Sequence, residues 1–158
     1  MADNNKREQA LAVFGLICET LEDREWKYQK NEEKLSVSCV GAGDDLPIEL
    51  LIKVLEDRSL VMLLSQLPLT VPEDKSMDFV IALSTINNRL VDGSFDMDLE
   101  NGRILFRMTN SFLDSCMGKD VFAYMLLCSF LTIDEYNDKL LMLAKGMIDL
   151  ERFLASLK

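Results

Sequence analysis

The chain has 158 residues, 49% of them hydrophobic, and its 17 basic and 27 acidic side chains give a net charge of −10 with no histidine. A chain of this length hides about 70% of its unfolded surface on folding, enough for one complete core without disulfide or metal staples. The charge disfavours nucleic acid and anionic membranes, which attract Lys and Arg clusters, and the missing imidazoles exclude His-based triads, His general bases and histidine-ligated zinc.

Residues Met1 to Gln9 are polar and mixed in charge, without the cationic start and apolar run of a signal peptide, so the expected compartment is the cytoplasm. Next, Ala10, Phe14, Ile17 and Leu21 recur at steps of four, three and four. They predict a helix over about Asn5 to Asp23, capped by Asn5 and Glu8. From Trp26 to about Val71 the period drops to two, as where Leu35, Val37 and Cys39 alternate with Lys34, Ser36 and Ser38. A turn-rich link at Gly41 to Pro47 leads into two apolar strands, about Ile48 to Glu56 and Ser59 to Leu67, joined at Asp57 and Arg58. The second face of this hairpin is also apolar, through Leu51, Leu55, Val61 and Leu63, so both sides of the sheet require cover.

Beyond Pro68 and Pro72 a helical period returns with Met77, Val80, Ile81, Ser84, Asn87 and Leu90, and Asp92-Gly93 stops it. Phe95 to Leu99 and Ile104 to Met108 then alternate about Asn101-Gly102, the signature of a two-residue type I′ hairpin. That register sets Glu100 against Arg103, Asp96 against Arg107, and Leu99, Met97 and Phe95 against Ile104, Phe106 and Met108. From Lys119 onward the chain reads as helical. A fresh start falls at Thr132, where Thr132 and Glu135 form a T-x-x-E capping box and Leu131 can staple onto Tyr136. Downstream, Tyr136, Leu140, Leu143, Met147, Leu150, Leu154 and Leu157 form an uninterrupted stripe, widened by Leu141, Ala144, Ile148 and Ala155. With only about three heptads, packing on a sheet is preferred to a coiled coil. Val121 to Ile133 is the most apolar run, interrupted by Ser129 and Thr132 and short of the roughly 18 residues that span a bilayer. The pattern predicts a single α+β domain over residues 1–158. Its antiparallel sheet of about five strands is flanked by helices, in the order helix, three or four strands, helix, two strands, one or two helices.

Chemical motifs are weak. Gly41-Ala42-Gly43 has no G-K-[ST] lysine and precedes Asp44 and Asp45, which repel phosphate, so it reads as a turn. Asp96, Asp98 and Glu100 open like a calcium loop, but Asn101 takes the glycine position and Arg107 that of the closing glutamate. The hairpin register reads the same acids as a solvated strand face with arginine partners. No serine stands in a G-x-S-x-G elbow, and without histidine a cysteine nucleophile lacks its usual base. Cys18, Cys39, Cys116 and Cys128 are widely spaced among apolar residues and read as reduced, buried small hydrophobes. No catalytic, metal or cofactor site is expected.

One segment carries a family resemblance. Leu67-Pro68-Leu69 closes a strand, Ile86-Asn87-Asn88-Arg89-Leu90 ends a helix, Asp92-Gly93-Ser94-Phe95 opens the next strand, and Asp96 to Arg107 forms an acidic hairpin ending Ile104-Leu105-Phe106-Arg107. This resembles the YbjN-type family, also called bacterial sensory transduction regulators, over about a quarter of the chain. The resemblance implies the fold of class I type III secretion chaperones, small acidic proteins that commonly dimerise and bind extended segments of effectors. The long striped tail from Thr132 to Lys158 departs from that pattern. No catalytic residues come with the family, so what it implies is a fold and a mode of association.

The expected function is a non-enzymatic protein-interaction or regulatory module, a homodimer binding a protein or peptide partner, with no nucleic acid, membrane or cofactor involved. The expected partner surface comprises Leu51, Leu55, Val61 and Leu63 with the tail residues Met147, Leu150 and Leu154. The competing expectations are a secretion chaperone for an effector protein, and a small-ligand binder or carboxylate enzyme with a deep polar pocket.

Overall fold

In the computed structural model, which describes residues 2–157, the first helix α1 (Ala2–Asp23) buries Ala10, Phe14, Ile17 and Leu21 as its spacing requires. It starts earlier than expected, so Asn5 lies inside the helix and does not cap it; Met1 lies outside the described residues. Four strands follow: β1 (Tyr28–Asn31), β2 (Ser36–Ala42), β3 (Pro47–Leu55) and β4 (Leu60–Thr70). After helix α2 (Ser76–Asn87) come β5 (Ser94–Asp98) and β6 (Arg103–Ser111), then helices α3 (Lys119–Ala144) and α4 (Leu150–Ser156). The strands form one six-stranded antiparallel sheet in the order β1-β2-β3-β4-β6-β5, so the α+β class and the element order match the sequence pattern.

The helices cover one face of this sheet. α1 packs on β3, α3 crosses β3, β4 and β6, and α2 lies beside β5 and α4. Beneath them lie Val37, Leu50, Ile52, Val61, Leu63, Ile104 and Phe106, together with Phe79, Phe122 and Phe153 from the helices. Each such fully buried side chain contributes about 1.5 to 3 kcal/mol of transfer free energy.

Three expectations are corrected by the packing. The β5–β6 hairpin is not closed by a two-residue turn: Asp98 pairs with Arg103 and Phe95 with Phe106, leaving a four-residue loop of Leu99 to Gly102. Asp98 holds that loop from inside, its carboxylate accepting from the Glu100 backbone N–H at 3.0 Å and from the Asn101 side chain, while its carbonyl accepts from Gly102 N–H at 2.8 Å. An aspartate turn of this kind competes with the Asn-Gly type I′ geometry, and here only Gly102, not Asn101, takes a positive φ, of 69°. The shift is two residues, so the side chains that remain in the strands keep their faces, while Leu99 and Glu100 pass into the loop.

α3 also runs unbroken through Thr132, because Phe122, Met125, Ser129, Ile133, Tyr136, Leu140 and Leu143 stay in phase on one buried side. A cap at Thr132 would sacrifice interior backbone hydrogen bonds without burying anything more. The break comes later. Residues 145–149 leave the helix after Lys75 Nζ donates to the Leu143 carbonyl at 2.8 Å, and Asp149 restarts it by accepting from Arg152 N–H at 2.8 Å. Consequently the stripe that looked continuous is split: Leu157 is buried, Leu150 and Leu154 are half-buried, and Met147 is exposed in the intervening turn.

Candidate partner-binding surface

The sheet face opposite the helices carries no covering element among the described residues. On it β3 presents Glu49, Leu51, Lys53 and Leu55, β4 presents Leu60, Met62, Leu64 and Gln66, and β6 presents Arg103, Leu105 and Arg107. Register aligns Ser38, Leu51, Leu64 and Arg107 in one row across four strands, and Lys53, Met62 and Thr109 in the next. The six leucine and methionine side chains are half-buried by one another, with nothing lying over them. A shallow groove of about 890 Å³ runs over this face from Lys27 and Gln29 past Ser38, Leu51 and Leu64 to Leu105. Contiguous apolar surface of this kind, rimmed by polar groups, is the usual mark of an association site.

Of the residues expected to form that surface, Leu51 and Leu55 are on the open face. Val61 and Leu63 are not: both are 0% exposed beneath the helices. Val54 pairs with Val61 and Ile52 with Leu63, so the residues sharing a face with Leu51 and Leu55 are the even-numbered Leu60, Met62 and Leu64. Opposed residues in an antiparallel pair share a face, and that parity rule would have found them from the hairpin register alone. Met147, Leu150 and Leu154 lie on the far side of the sheet from the open face, at the α3–α4 turn and in α4 beside α2.

A second apolar surface lies on the outside of the helix layer. The α2 positions with helical spacing, Met77, Val80 and Ile81, point outward, whereas Phe79, Ala82, Leu83 and Ile86 are the ones buried. On α3, Tyr124, Leu127 and Leu131 are likewise exposed. Tyr124 is fixed to the chain after α2 by its hydroxyl, which donates to Asp92 at 2.5 Å, and that bond raises the phenol to about 12.

The segment that carried the family resemblance is structural. Asn87, at the end of α2, donates from its amide to the Phe95 carbonyl at 2.9 Å and accepts from the Phe95 N–H at 2.8 Å. Both bonds occupy backbone groups on the outer edge of the sheet, since β5 is a terminal strand. Gly93 enters that strand with φ +76°, and a Cβ there would collide with the ring of Phe106.

The groups available for chemistry do not converge. Cys18 and Cys39 are buried, and burial pushes both thiols up, Cys39 to about 11, which disfavours the thiolate a nucleophile needs. Cys128 is partly exposed and Cys116 is exposed, correcting the expectation that all four are buried: Cys116 lies in the loop between β6 and α3. Among the described residues no three Cys, Asp or Glu groups are placed to hold a metal ion. Among the described residues no helix is long and apolar enough to cross a membrane. Of the carboxylates on the open face, Asp96 meets Arg107 at 2.7 Å and Asp98 is engaged by its own loop.

A single antiparallel sheet with helices on one face, in this order of elements, is the YbjN-type, type III secretion chaperone-like fold. Solved structures that share it include the following two. YbjN from E. coli, described as a candidate transcription regulator, superposes with a TM-score of 0.58 at 13% identity, over 78% of this chain and 87% of that one. The ExsC–ExsE complex superposes with a TM-score of 0.57 at 16% identity, over 80% of this chain and 91% of the matched chain. No family model and no curated protein matches the sequence.

Proposed function

We propose that this chain is a non-enzymatic, cytoplasmic protein-interaction module that associates with itself and holds a protein partner through its uncovered apolar surfaces. The observation that carries this reading is the open sheet face, where Leu51, Leu55, Leu60, Met62, Leu64 and Leu105 have no helix over them while the opposite face is fully packed. Half-exposed leucines on a flat sheet offer binding energy without a pocket for a small substrate. The outward stripes of α2 and α3 supply a second apolar surface, so a dimer contact and a partner contact can coexist on one chain. A narrower reading, a chaperone for one effector, is favoured by the likeness to the ExsC–ExsE complex, in which a chain of this fold is seen with a protein bound.

Affinity capture with chemical crosslinking tests it. Wild type should retain a discrete protein that is lost from Leu64→Glu or from Leu127→Glu while circular dichroism stays native. Equal capture by both variants and wild type, or a small molecule retained in the groove, would remove the proposal.

A further inference from the structure

We propose that the open sheet face is where two copies of this chain meet, which leaves the outward stripes of α2 and α3 for other proteins. This rests on the reading that the chain works through its apolar surfaces, and it assigns one of them.

Charge is the first argument. The chain carries −10, so two copies repel unless they meet where charge cancels. The strand positions of the open face hold Lys53, Arg103 and Arg107 against Glu49, Asp96 and Asp98, three of each sign. Every unit of the net charge therefore lies elsewhere. A strongly basic partner, the kind such an acidic chain attracts, would find little to pair with here, whereas a second neutral face meets no penalty.

Area is the second. Six strands at a spacing of about 4.8 Å, with central strands of nine residues or more, make a face of roughly 24 by 30 Å, about 700 Å². A standard interface buries about 800 Å² on each partner, so the face is of the right size to be covered once by its own copy.

The arrangement is also self-complementary, as a two-fold interface must be. Glu49 and Lys53 flank Leu51 on the same strand and the same face. A two-fold axis lying across the strands along the Leu51–Leu64 row stacks leucine on leucine and turns Glu49 towards the partner's Lys53. Arg107, which lies on the same row, brings its own counter-ion in Asp96.

Sedimentation equilibrium on the full chain, over about 1 to 200 μM, tests this. Wild type should give a reversible dimer of twice the 18.0 kDa chain. Leu64→Glu should be monomeric, and Leu127→Glu on the helix layer should remain dimeric. Lys53→Glu and Glu49→Lys should each weaken the dimer at least about tenfold, and the double variant should recover to within about threefold, a rescue that misfolding cannot mimic. A wild type that stays monomeric, a dimer that survives Leu64→Glu, or a double variant as weak as the singles overturns the assignment. A monomer whose captured partner is lost on Leu64→Glu would overturn it while leaving the interaction-module reading intact.

Discussion

Asn87 and Phe95 are joined by a two-point clamp in which one side-chain amide both donates to and accepts from the backbone of a single strand residue. The clamp ties the end of α2 to the outer strand and fills hydrogen-bonding groups that would otherwise recruit another strand. Leucine at position 87 should therefore cost about 1 to 3 kcal/mol, because the partly buried N–H and C=O of Phe95 are left without partners. Aspartate should cost nearly as much, since it keeps the acceptor but opposes a carboxylate to the Phe95 carbonyl. Urea midpoints of Asn87→Leu and Asn87→Asp read this, and values within about 0.5 kcal/mol of wild type would show that the clamp carries no stability.

Asn137 makes the opposite case. It lies on the buried side of α3 at 1% exposure, and neither its amide nitrogen nor its oxygen has a hydrogen-bond partner among the described residues. A polar group buried this way costs about 1 to 3 kcal/mol, and an apolar group of similar shape escapes that cost. Asn137→Leu should raise stability by about 1 kcal/mol or more, seen as a higher urea midpoint at unchanged slope. A lower midpoint would mean that the amide is satisfied after all, by a bound water held at that place.

The order of elements was legible because each changes the hydrophobic period, from steps of three and four in α1 to alternation in β2 and back in α2. Which side of α2 faces inward was not, because Met77, Val80 and Ile81 outside are as apolar as Phe79, Ala82 and Leu83 inside. The face of Val61 and Leu63 was misjudged for a related reason: β4 is apolar on both sides, so composition is silent and only the pairing Val54–Val61 decides. Short motifs misled where a competing interaction was stronger. The Thr132 box lost to a buried stripe running on to Leu143, and Asn101-Gly102 lost to the Asp98 turn.

All three tyrosines of the chain are held in their neutral form. Tyr28 is raised by its hydrogen bond to Glu22 at 2.6 Å, Tyr124 by its bond to Asp92, and Tyr136 by burial. A phenol whose folded value lies above its unfolded value supports the fold fully below about pH 10 and loses that support as pH climbs through the raised value. Absorbance at 295 nm should therefore titrate later in the native protein than in urea, with Tyr124 ionising near 12. Stability should fall between pH 10 and that point. Any tyrosine ionising near its ordinary value in protein that circular dichroism reports as folded would contradict the hydrogen bond or the burial assigned to it.

The four thiols should separate by accessibility. Cys116 is exposed in the loop before α3, Cys128 is half-buried beside Tyr124 on that helix, and Cys18 and Cys39 are inside the core. With an aromatic disulfide reagent near pH 8, one thiol should react fast, one more slowly, and two only after unfolding, their reactivity being suppressed both by occlusion and by thiol values pushed upward. Cys116→Ser should remove the fast phase and leave stability within about 0.5 kcal/mol, as expected for an exposed loop position. A third thiol reacting in the native protein would require the α1–sheet interface that buries Cys18 and Cys39 to open on the timescale of labelling, and the amides of β2 would then exchange with solvent at the same rate.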